Sequence, residues 1–501
     1  MPRLIFTLFL LFACLANAVQ AAPPIKTLTP AEARADIALV RAAMEEMHPG
    51  LTRYASRADI DSAWTRLEAA ATKPMTELDL YRELSLALAV IRCDHTKGEY
   101  SQVIEAYRRE SPTHLPFRFR LFAGETAEQG ERMFIASSDP AQPLPFGAEI
   151  LAINGEPVGK LTKTLGSVVA IDGFTEPVRR QKLMHDSDLT GNGFDHYWPA
   201  FFGFPAAWKV TLRERPDGPI TTRELKPINF TQWQALPWPA RYREEFHSGI
   251  SWRLAGRTAV LKINTFVNYR NPVDAEALLS GYFRSANIRK VDHLVIDLRD
   301  SGGGSNDAVH AVLAHLIDRP APWSRRTSVK ALKAGDWVKH TERWDGRPGE
   351  YSLPEADYVN AADGLWDRKS GPDTPALNPV APAPDAFKGR VTVLIGPANN
   401  SGATMLIAKL KDLGRVQLVG EATGGSAEGP TAGNLLMLRL PASGILVRVP
   451  LIFSRMDIRA FEPGMGVAPD VEVKQTLKDF LASKDSVMEW VRQSAQAPAQ
   501  R

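Results

Sequence analysis

A strand pattern, a turn and a helix pattern follow one another in Val391-Thr-Val-Leu-Ile-Gly-Pro-Ala-Asn-Asn-Ser401-Gly-Ala-Thr-Met-Leu-Ile-Ala-Lys-Leu-Lys-Asp412. The apolar run ends at Gly396-Pro397, and Ser401 stands where the helix pattern begins. Open α/β sheets place their chemistry at this point, between the carboxyl end of a strand and a helix N-terminus. Serine is also a favoured N-cap. The segment therefore predicts an α/β unit in which Ser401 is either a nucleophile or a helix cap.

Strand and helix patterns alternate from residue 250 onward, which predicts a mixed α/β core. Strands are predicted at 258–263, 293–297, 391–396, 416–420, 434–440 and 445–449, and helices at 272–283, 306–317 and 402–412. Residues 325–386 are rich in Trp, Pro and Gly and show no clear periodicity. An irregular stretch of that length is usually functional or mobile.

The N-terminal half predicts two other kinds of structure. Residues 28–92 have helical periodicity, and Thr29-Pro30-Ala31-Glu32 is a helix start with Thr29 as N-cap and Glu32 placed for a capping box. Residues 115–228 instead show alternating strand patterns and hairpin turns. An aromatic and glycine-rich stretch at 165–206 interrupts these strands and is interpreted as an insertion.

The composition is that of an ordinary globular protein and excludes some functional classes. Of the 501 residues, 44% are hydrophobic and 23% are charged, and the formal net charge is +3. The chain has no basic stripe with interleaved aromatic residues, so binding of nucleic acid has no support. No segment after residue 21 has the length and apolarity of a transmembrane helix.

Residues 1–21 have the pattern of a cleaved signal peptide. Arg3 precedes an almost wholly apolar run from Leu4 to Ala16, and cleavage is expected after Ala21. The alternative is a lipoprotein attached through Cys14, although Phe12 is bulky for a lipobox. The chain is thus expected to be secreted, in the periplasm. Cleavage leaves one cysteine, at position 93, so no intramolecular disulfide can form.

A glycine triplet follows the predicted strand at 293–297, in Asp297-Leu-Arg-Asp-Ser-Gly302-Gly303-Gly304-Ser305. Consecutive glycines let the backbone approach a ligand closely and direct amide groups at negative charge. Neither a GxGxxG motif nor a Walker lysine is present, so a nucleotide site is poorly supported. An oxyanion hole and a plain tight turn are the interpretations that stay open.

Two further segments carry groups that suit acid–base chemistry. His95 closes a leucine-rich helix pattern in Cys93-Asp94-His95-Thr96, where its polar neighbours can fix the imidazole tautomer. No further His or Cys ligand lies at short spacing, so the segment predicts no metal site. A structural histidine is the alternative to a catalytic base. Glu462 precedes Pro463-Gly464. It is interpreted either as part of a plain turn or as the residue that orients a histidine base.

The order of these segments resembles the C-terminal processing (tail-specific) protease family. The segments that carry the resemblance are 297–304, 399–403, 420–425 and 466–470, and 146–158 is similar to the PDZ domain of those proteases. His48-Pro49-Gly50 and Asp94-His95-Thr96 are similar to the tricorn-core and interphotoreceptor retinoid-binding protein branch. The resemblance covers about residues 30–475, most of the mature chain.

The resemblance implies a serine peptidase that needs no cofactor and no metal. The residues it assigns are Ser401 as nucleophile, His95 as general base, Glu462 as the residue that holds the base, and Gly402 with Gly303 or Gly304 as the oxyanion hole. The tail-specific branch has a lysine base after its Thr-x-Gly turn, whereas Thr423-Gly-Gly-Ser426 is followed by none. Thr404 stands where the family usually has glutamate, and Asp94 where glycine or serine is common.

The fold implied is α/β, of the α+β multidomain kind. A helical N-terminal domain is expected at 22–100, a PDZ-like β-rich domain at 112–228, a ClpP/crotonase-like mixed α/β protease core at 248–475, and a C-terminal helix and tail at 476–501. Peptides or unfolded protein tails are the implied substrates. Because the insertion falls in the PDZ-like domain, it stays open whether this domain binds the C-termini of substrates. A non-catalytic ligand- or peptide-binding protein on the same fold is the alternative function.

Overall fold

The computed structural model describes residues 23–124, 126, 130–186, 188–238, 244–343, 346–371 and 374–496. The predicted signal peptide at 1–21, with Cys14, lies outside these residues. Within the described part, the helices are all too short or too polar to cross a membrane.

The N-terminal region is helical, as its periodicity predicts. Its helices lie at Pro30–Met47 (α1), Arg57–Ala70 (α2), Glu77–Ala89 (α3) and Gln102–Glu110 (α4), and its short strands at Thr27–Leu28 (β1), Met75–Thr76 (β2) and Gly98–Glu99 (β3). The predicted capping box is confirmed. The Thr29 hydroxyl accepts a hydrogen bond from the N–H of Glu32, whose carboxylate accepts one from the N–H of Thr29. Helix α3 turns its leucines into the hydrophobic core and ends just before His95.

An antiparallel sheet follows in the region predicted to be PDZ-like. Its strands lie at Phe117–Ala123 (β4), Glu131–Ser138 (β5), Glu149–Ile153 (β6), Glu156–Pro157 (β7), Trp208–Arg213 (β8) and Ile220–Leu225 (β9), and the helices at Val158–Gly166 (α5), Pro177–Met184 (α6), Gly193–Phe202 (α7) and Phe230–Ala235 (α8). The strand order is β4-β5-β6-β8-β9, with β7 paired to β6. The predicted hairpin of β8 and β9 is confirmed.

Helix α6 belongs to the predicted insertion and covers the outer edge of this sheet at β4. The N–H of Leu121 in β4 donates to the Sδ atom of Met184 in α6, 3.0 Å away. Arg180 of α6 forms an ion pair of 2.8 Å with Glu131 of β5. The side chains of Leu183 and Met184 are buried in the core. Helix α6 therefore covers part of the backbone edge of β4.

The remaining elements form the α/β core and the C-terminal segment. The strands lie at Ile250–Ala255 (β10), Thr258–Ile263 (β11), His293–Asp297 (β12), Ser324–Val329 (β13), Thr341–Arg343 (β14), Tyr358–Asn360 (β15), Trp366–Arg368 (β16), Arg390–Ile395 (β17), Gln417–Gly420 (β18), Thr431–Arg439 (β19), Leu446–Met456 (β20) and Val471–Glu472 (β21). The helices lie at Ala275–Ile288 (α9), Asn306–Ala314 (α10), Ser401–Asp412 (α11), Leu477–Leu481 (α12) and Ser486–Gln496 (α13).

The first core sheet has the order β10-β11-β12-β17-β18-β21 and is parallel from β11 to β21. Strands β12 and β17 are buried along almost their whole length, as parallel central strands are. Their register pairs Asp297 with Leu394, so the turns that follow the two strands lie side by side at the carboxyl edge. This edge holds both the glycine triplet and Ser401.

A second core sheet has the order β14-β19-β20-β13-β16-β15, and β3 of the N-terminal region pairs with β20. Strands β13 to β16 fall largely within 325–386, for which the sequence predicts an irregular excursion. That prediction misses four strands because each has only three to six residues. Runs that short carry too few residues for a periodic pattern to be recognised.

Candidate active site

Ser401 is the first residue of α11, at the carboxyl end of β17, as predicted. Its φ is +46°, in the left-handed region that residues other than glycine rarely adopt. The N-cap is Asn400, and it makes no side-chain capping bond. The interpretation of Ser401 as a helix cap is therefore wrong. Backbone strain of this kind persists only where surrounding contacts impose it, as they do at functional sites.

The glycine turn after β12 lies directly against Ser401. A Cβ atom added to Gly303 would lie 2.8 Å from the backbone N of Gly402 and 3.0 Å from the Cβ of Ser401. The φ angles of Gly303 and Gly304 are +99° and +148°. A side chain at either position would thus strain the backbone and collide with its neighbours. The two turns meet at a distance that requires glycine.

The buried amide of Asn399 connects these turns. Its Nδ2 donates to the carbonyls of Leu298 and Ser301, and its Oδ1 accepts from the N–H of Gly396 at 2.8 Å. Asn399 has no exposed surface. Because a buried amide with all these partners has one favourable orientation, Asn399 fixes the glycine turn relative to the serine turn.

The backbone N–H groups around Ser401 form an anion-binding concavity. Within the described residues, no hydrogen bond has the N–H of Gly303, Gly304 or Gly402 as its donor. The carbonyl of Gly303 is engaged by the N–H of Phe266 at 2.9 Å, which holds the turn in place. Unpaired amides beside a serine at a helix N-terminus are suited to stabilise the oxyanion of a tetrahedral intermediate.

His95 and Ser401 line the same cavity, which has a volume of about 700 Å³. Gly402 and the two glycines opposite it, Gly303 and Gly304, line it as well. The residues that precede His95 and Ser401 are hydrogen-bonded to each other, since Asn400 Nδ2 donates to Asp94 Oδ2 at 2.7 Å. The structure thus brings together five of the six residues that the sequence predicts for the site.

His48 supports the turn that carries His95. Its Nε2 lies 2.8 Å from the hydroxyl of Thr96, and its Nδ1 accepts the N–H of Gly50 at 3.1 Å. Burial lowers the pKa of His48 to about 3, so the ring is neutral at physiological pH. The His-Pro-Gly motif of the sequence is therefore a structural brace for the His95 turn.

The carboxylate beside His95 is that of Asp172, from the segment after α5. An oxygen of Asp172 and a ring nitrogen of His95 lie within 4.8 Å of each other. Asp172 Oδ1 accepts the N–H of Asp94 at 2.9 Å, while Asp172 Oδ2 and His95 Nδ1 are buried without hydrogen-bond partners in the described part of the chain. A hydrogen bond between these two orphaned atoms would give the imidazole the partner that orients a general base.

Glu462, which the resemblance assigns to this task, lies elsewhere. Its side chain is exposed and does not line the cavity. The turn that carries it nevertheless contacts the Asp172 segment, because the N–H of Phe174 donates to the carbonyl of Gly464 at 2.8 Å. The turn of Glu462 therefore contacts the Asp172 segment through its backbone, and the carboxylate that lies near His95 is that of Asp172.

The two departures from the family pattern have defined partners. Asp94 is buried and forms an ion pair with Lys182 of α6. Thr404 is buried, and its hydroxyl donates to the carbonyl of Asn399 at 2.9 Å. Gly425 of the Thr423 turn donates its N–H to the same carbonyl at 2.8 Å. Neither departure removes a polar partner from the serine turn.

The protonation states suit general-base catalysis by His95. Burial lowers the pKa of His95, and the charge of Asp172 opposes that effect. The ring is thus neutral at neutral pH and able to accept a proton. Burial raises the pKa of the Cys93 thiol to about 12, which leaves it protonated and unreactive as a nucleophile.

Three residues of this site were missed by sequence reasoning. Asp172 follows the apolar run Val168–Ile171 and precedes Gly173, a pattern that also fits any strand end. Asn399 stands two residues before Ser401, and the sequence shows it only as part of the motif. Lys182 lies in the predicted insertion, and no local signal indicates that it reaches Asp94.

Comparison with known proteins supports the resemblance. Residues 257–473 match the model of Peptidase family S41. A search of curated proteins finds no match. The structure of mature CPAF complexed with lactacystin has a TM-score of 0.62 at 14% identity, covering 93% of this chain and 97% of that one. Mature CPAF has a TM-score of 0.61 at 15% identity, and the match covers 93% of this chain and 96% of that one. The photosystem II D1 C-terminal processing protease is 16% identical and has a TM-score of 0.40. The match covers 89% of this chain and 94% of that protease.

The likeness to CPAF shows that the fold is shared over nearly the whole of both chains, including the parts outside 257–473. The family match covers both turns at the carboxyl edge, from β11 through Ser401 to β21. Residues 257–473 are therefore similar to Peptidase family S41, and this match fits the C-terminal processing protease family.

Proposed function

We propose that the chain is a serine peptidase with Ser401 as nucleophile and His95 as general base. The observation that carries this proposal is the arrangement at the carboxyl edge. Ser401 has a strained φ of +46°, faces unpaired amides of the glycine turn, and shares a cavity with His95. A capping or purely structural serine needs none of these three features.

The reaction follows from the groups present. Ser401 Oγ attacks the carbonyl carbon of the scissile peptide bond, and His95 takes the hydroxyl proton. The oxygen that becomes negative receives hydrogen bonds from the N–H of Gly402 and of Gly303 or Gly304. His95 then gives its proton to the leaving amine as the C–N bond breaks. Water repeats the sequence on the acyl-enzyme, with His95 again as base, and releases Ser401.

Asp172 is the positioning residue for His95 in this proposal. Its carboxylate stabilises the imidazolium that forms in each half-reaction and holds the ring in one tautomer. Burial raises the pKa of Asp172, and the charge of His95 lowers it. Protonation of His95 therefore favours the ionised carboxylate, so the pair is most strongly coupled when the transition state is reached.

Peptides or unfolded protein segments are the proposed substrates. The cavity is lined by both acidic and basic groups, among them Asp188, Glu244, Arg343 and Arg448. Such a lining accommodates a polar backbone with mixed side chains. We also propose export through residues 1–21, which the intact mass of the mature protein tests directly, because cleavage after Ala21 would leave Ala22 as the first residue.

Cleavage of a peptide library by purified protein tests the function, with products identified by mass spectrometry. Ser401→Ala should abolish cleavage. Ser324→Ala is a matched control, because Ser324 lines the same cavity but lies on β13. Equal activity of wild type and Ser401→Ala would exclude Ser401 as nucleophile. Absence of cleavage by every form, with retained peptide binding, would favour the non-catalytic binding protein.

A further inference from the structure

Three side chains with metal-binding donor atoms meet behind the catalytic base. The Cys93 sulfur, a His95 ring nitrogen and an Asp172 oxygen all lie within 4.8 Å of one another. Cys93 and His95 come from one turn, and Asp172 approaches from the segment after α5. Sequence spacing alone predicts no metal site, because the third ligand lies 78 residues beyond Asp94.

We propose that Cys93, His95 and Asp172 bind a transition-metal ion of the Zn²⁺ type, and that the bound ion inhibits the peptidase. Thiolate, imidazole and carboxylate together are a donor set that Zn²⁺ accepts in tetrahedral sites. Three protein ligands leave a fourth position for water. The inhibition rests on the proposed function, whereas the binding does not.

The cluster offers donor atoms that the protein fold leaves unused. His95 Nδ1 and Asp172 Oδ2 are buried without a hydrogen-bond partner in the described residues. Asp172 is 3% exposed and Cys93 is 4% exposed, so neither is solvated by bulk water. Burial leaves the thiol as a protonated S–H that donates to the carbonyl of Thr431 over 3.4 Å, a weak bond. An ion would therefore displace one thiol proton and disrupt little else.

The present distances need only a modest contraction. Zinc bonds are about 2.3 Å to sulfur and about 2.0–2.1 Å to nitrogen, so tetrahedral ligand atoms lie about 3.5 Å apart. Ligand atoms within 4.8 Å of one another differ from that spacing by about 1.3 Å at most. When no ion is bound, Asp172 and His95 can instead form a hydrogen bond with each other. Metal binding and orientation of the base thus use the same atoms and exclude each other.

Inhibition follows from the chemistry of the imidazole. A dication on one ring nitrogen opposes protonation of the other nitrogen, so His95 loses its ability to accept the Ser401 proton. The ion also takes the Asp172 carboxylate, which would otherwise stabilise the imidazolium. The expected effect is loss of kcat that a chelator reverses.

Binding is tested on tag-free Ser401→Ala protein, which needs no activity. Calorimetric titration with ZnSO4 should show one tight site that Cys93→Ala weakens at least tenfold. His247→Ala is the control for an exposed histidine and should keep the site. Co²⁺ should give a thiolate-to-metal charge-transfer absorption that Cys93→Ala removes. Zinc affinity unchanged in Cys93→Ala, or Co²⁺ binding without that absorption, would overturn the proposed site.

Inhibition is tested on the active enzyme. Zn²⁺ should lower kcat of wild type, EDTA should restore it, and Cys93→Ala should be active but resistant. If thermal unfolding shows that Cys93→Ala is unstable, the variant Cys93→Ser is used in its place in each measurement. The serine hydroxyl keeps the hydrogen bond to the Thr431 carbonyl. Equal inhibition of wild type and the Cys93 variant would overturn the proposed inhibition. An enzyme without peptidase activity but with the zinc site intact would refute the proposed function alone.

Discussion

Asn400 and Asp94 are joined by a hydrogen bond of 2.7 Å from the Asn400 amide to the Asp94 carboxylate, across 306 residues of sequence. Each stands immediately before a proposed catalytic residue, Ser401 or His95. The bond therefore connects the two turns that must be held in register for proton transfer. Asp94 also pairs with Lys182, so the same carboxylate links helix α6 to the site.

Removal of the Asp94 carboxylate should destabilise the protein and lower its activity. Asp94→Ala leaves the buried Lys182 ammonium without its ion pair, and loss of one partner of a buried pair costs about 3–5 kcal/mol. The free energy of unfolding in urea measures the loss. Lys182→Met in the same chain removes the unpaired charge and should recover much of the stability but not the activity. A double variant as unstable as Asp94→Ala would contradict this coupling.

We expect Asp172, rather than Glu462, to orient the imidazole of His95. Asp172→Asn removes the negative charge and should lower kcat by up to about 10⁴-fold, the effect expected when a base is held in the wrong tautomer. Glu462→Gln changes an exposed side chain outside the cavity and should leave kcat nearly unchanged. A large loss in Glu462→Gln with little effect of Asp172→Asn would reverse the assignment.

The pH profile adds a readout that a structural role of Asp172 would not move. Burial lowers the pKa of His95 and Asp172 raises it, so His95 becomes a competent base as the pH rises through a value below 6.5. Removal of the Asp172 charge should lower the pKa of His95 further. The acidic limb of kcat/KM should therefore move to lower pH in Asp172→Asn. A shift to higher pH would contradict the proximity of the two groups.

The glycine turn allows a test of the oxyanion hole with a neighbouring control. Gly303→Ala introduces a Cβ at 2.7 Å from the carbonyl of Asn400, at a φ of +99°, and should lower kcat by about 10²–10³-fold as the amide is displaced. Gly302→Ala meets no atom within 4 Å and should remain close to wild type. Comparable losses in both variants would show that the turn matters only as a flexible segment.

The serine and glycine turns are predictable from sequence because both are local motifs at strand ends. Their mutual position follows once β12 and β17 are recognised as neighbours. Asp172 is not predictable, because tertiary contacts place it beside His95: its carboxylate accepts the N–H of Asp94. Gly173 also packs against Gly464, where a Cβ would lie 2.3 Å from the Gly464 carbonyl. The resemblance assigns Glu462, whose turn is close to Asp172, but the Glu462 side chain is exposed.

The occupied edge at β4 predicts that substrate choice does not depend on a free C-terminus. Helix α6 already engages the N–H of Leu121, so a C-terminal peptide that added to the β4 edge would have to displace it. Matched peptides with a free or an amidated C-terminus should be cleaved with similar kcat/KM. A preference above tenfold for the free carboxylate would show that this domain, or another part of the cavity, captures chain ends.

The most direct test of the central claim is identification of the residue that a fluorophosphonate probe modifies, by peptide mapping of the native protein. The account predicts one adduct, on Ser401, at a rate that His95→Ala lowers by about 10²–10⁴-fold, the usual contribution of a general base. Prior unfolding should abolish the reaction. An adduct on another residue, or labelling of Ser401 that does not depend on His95, would contradict the account.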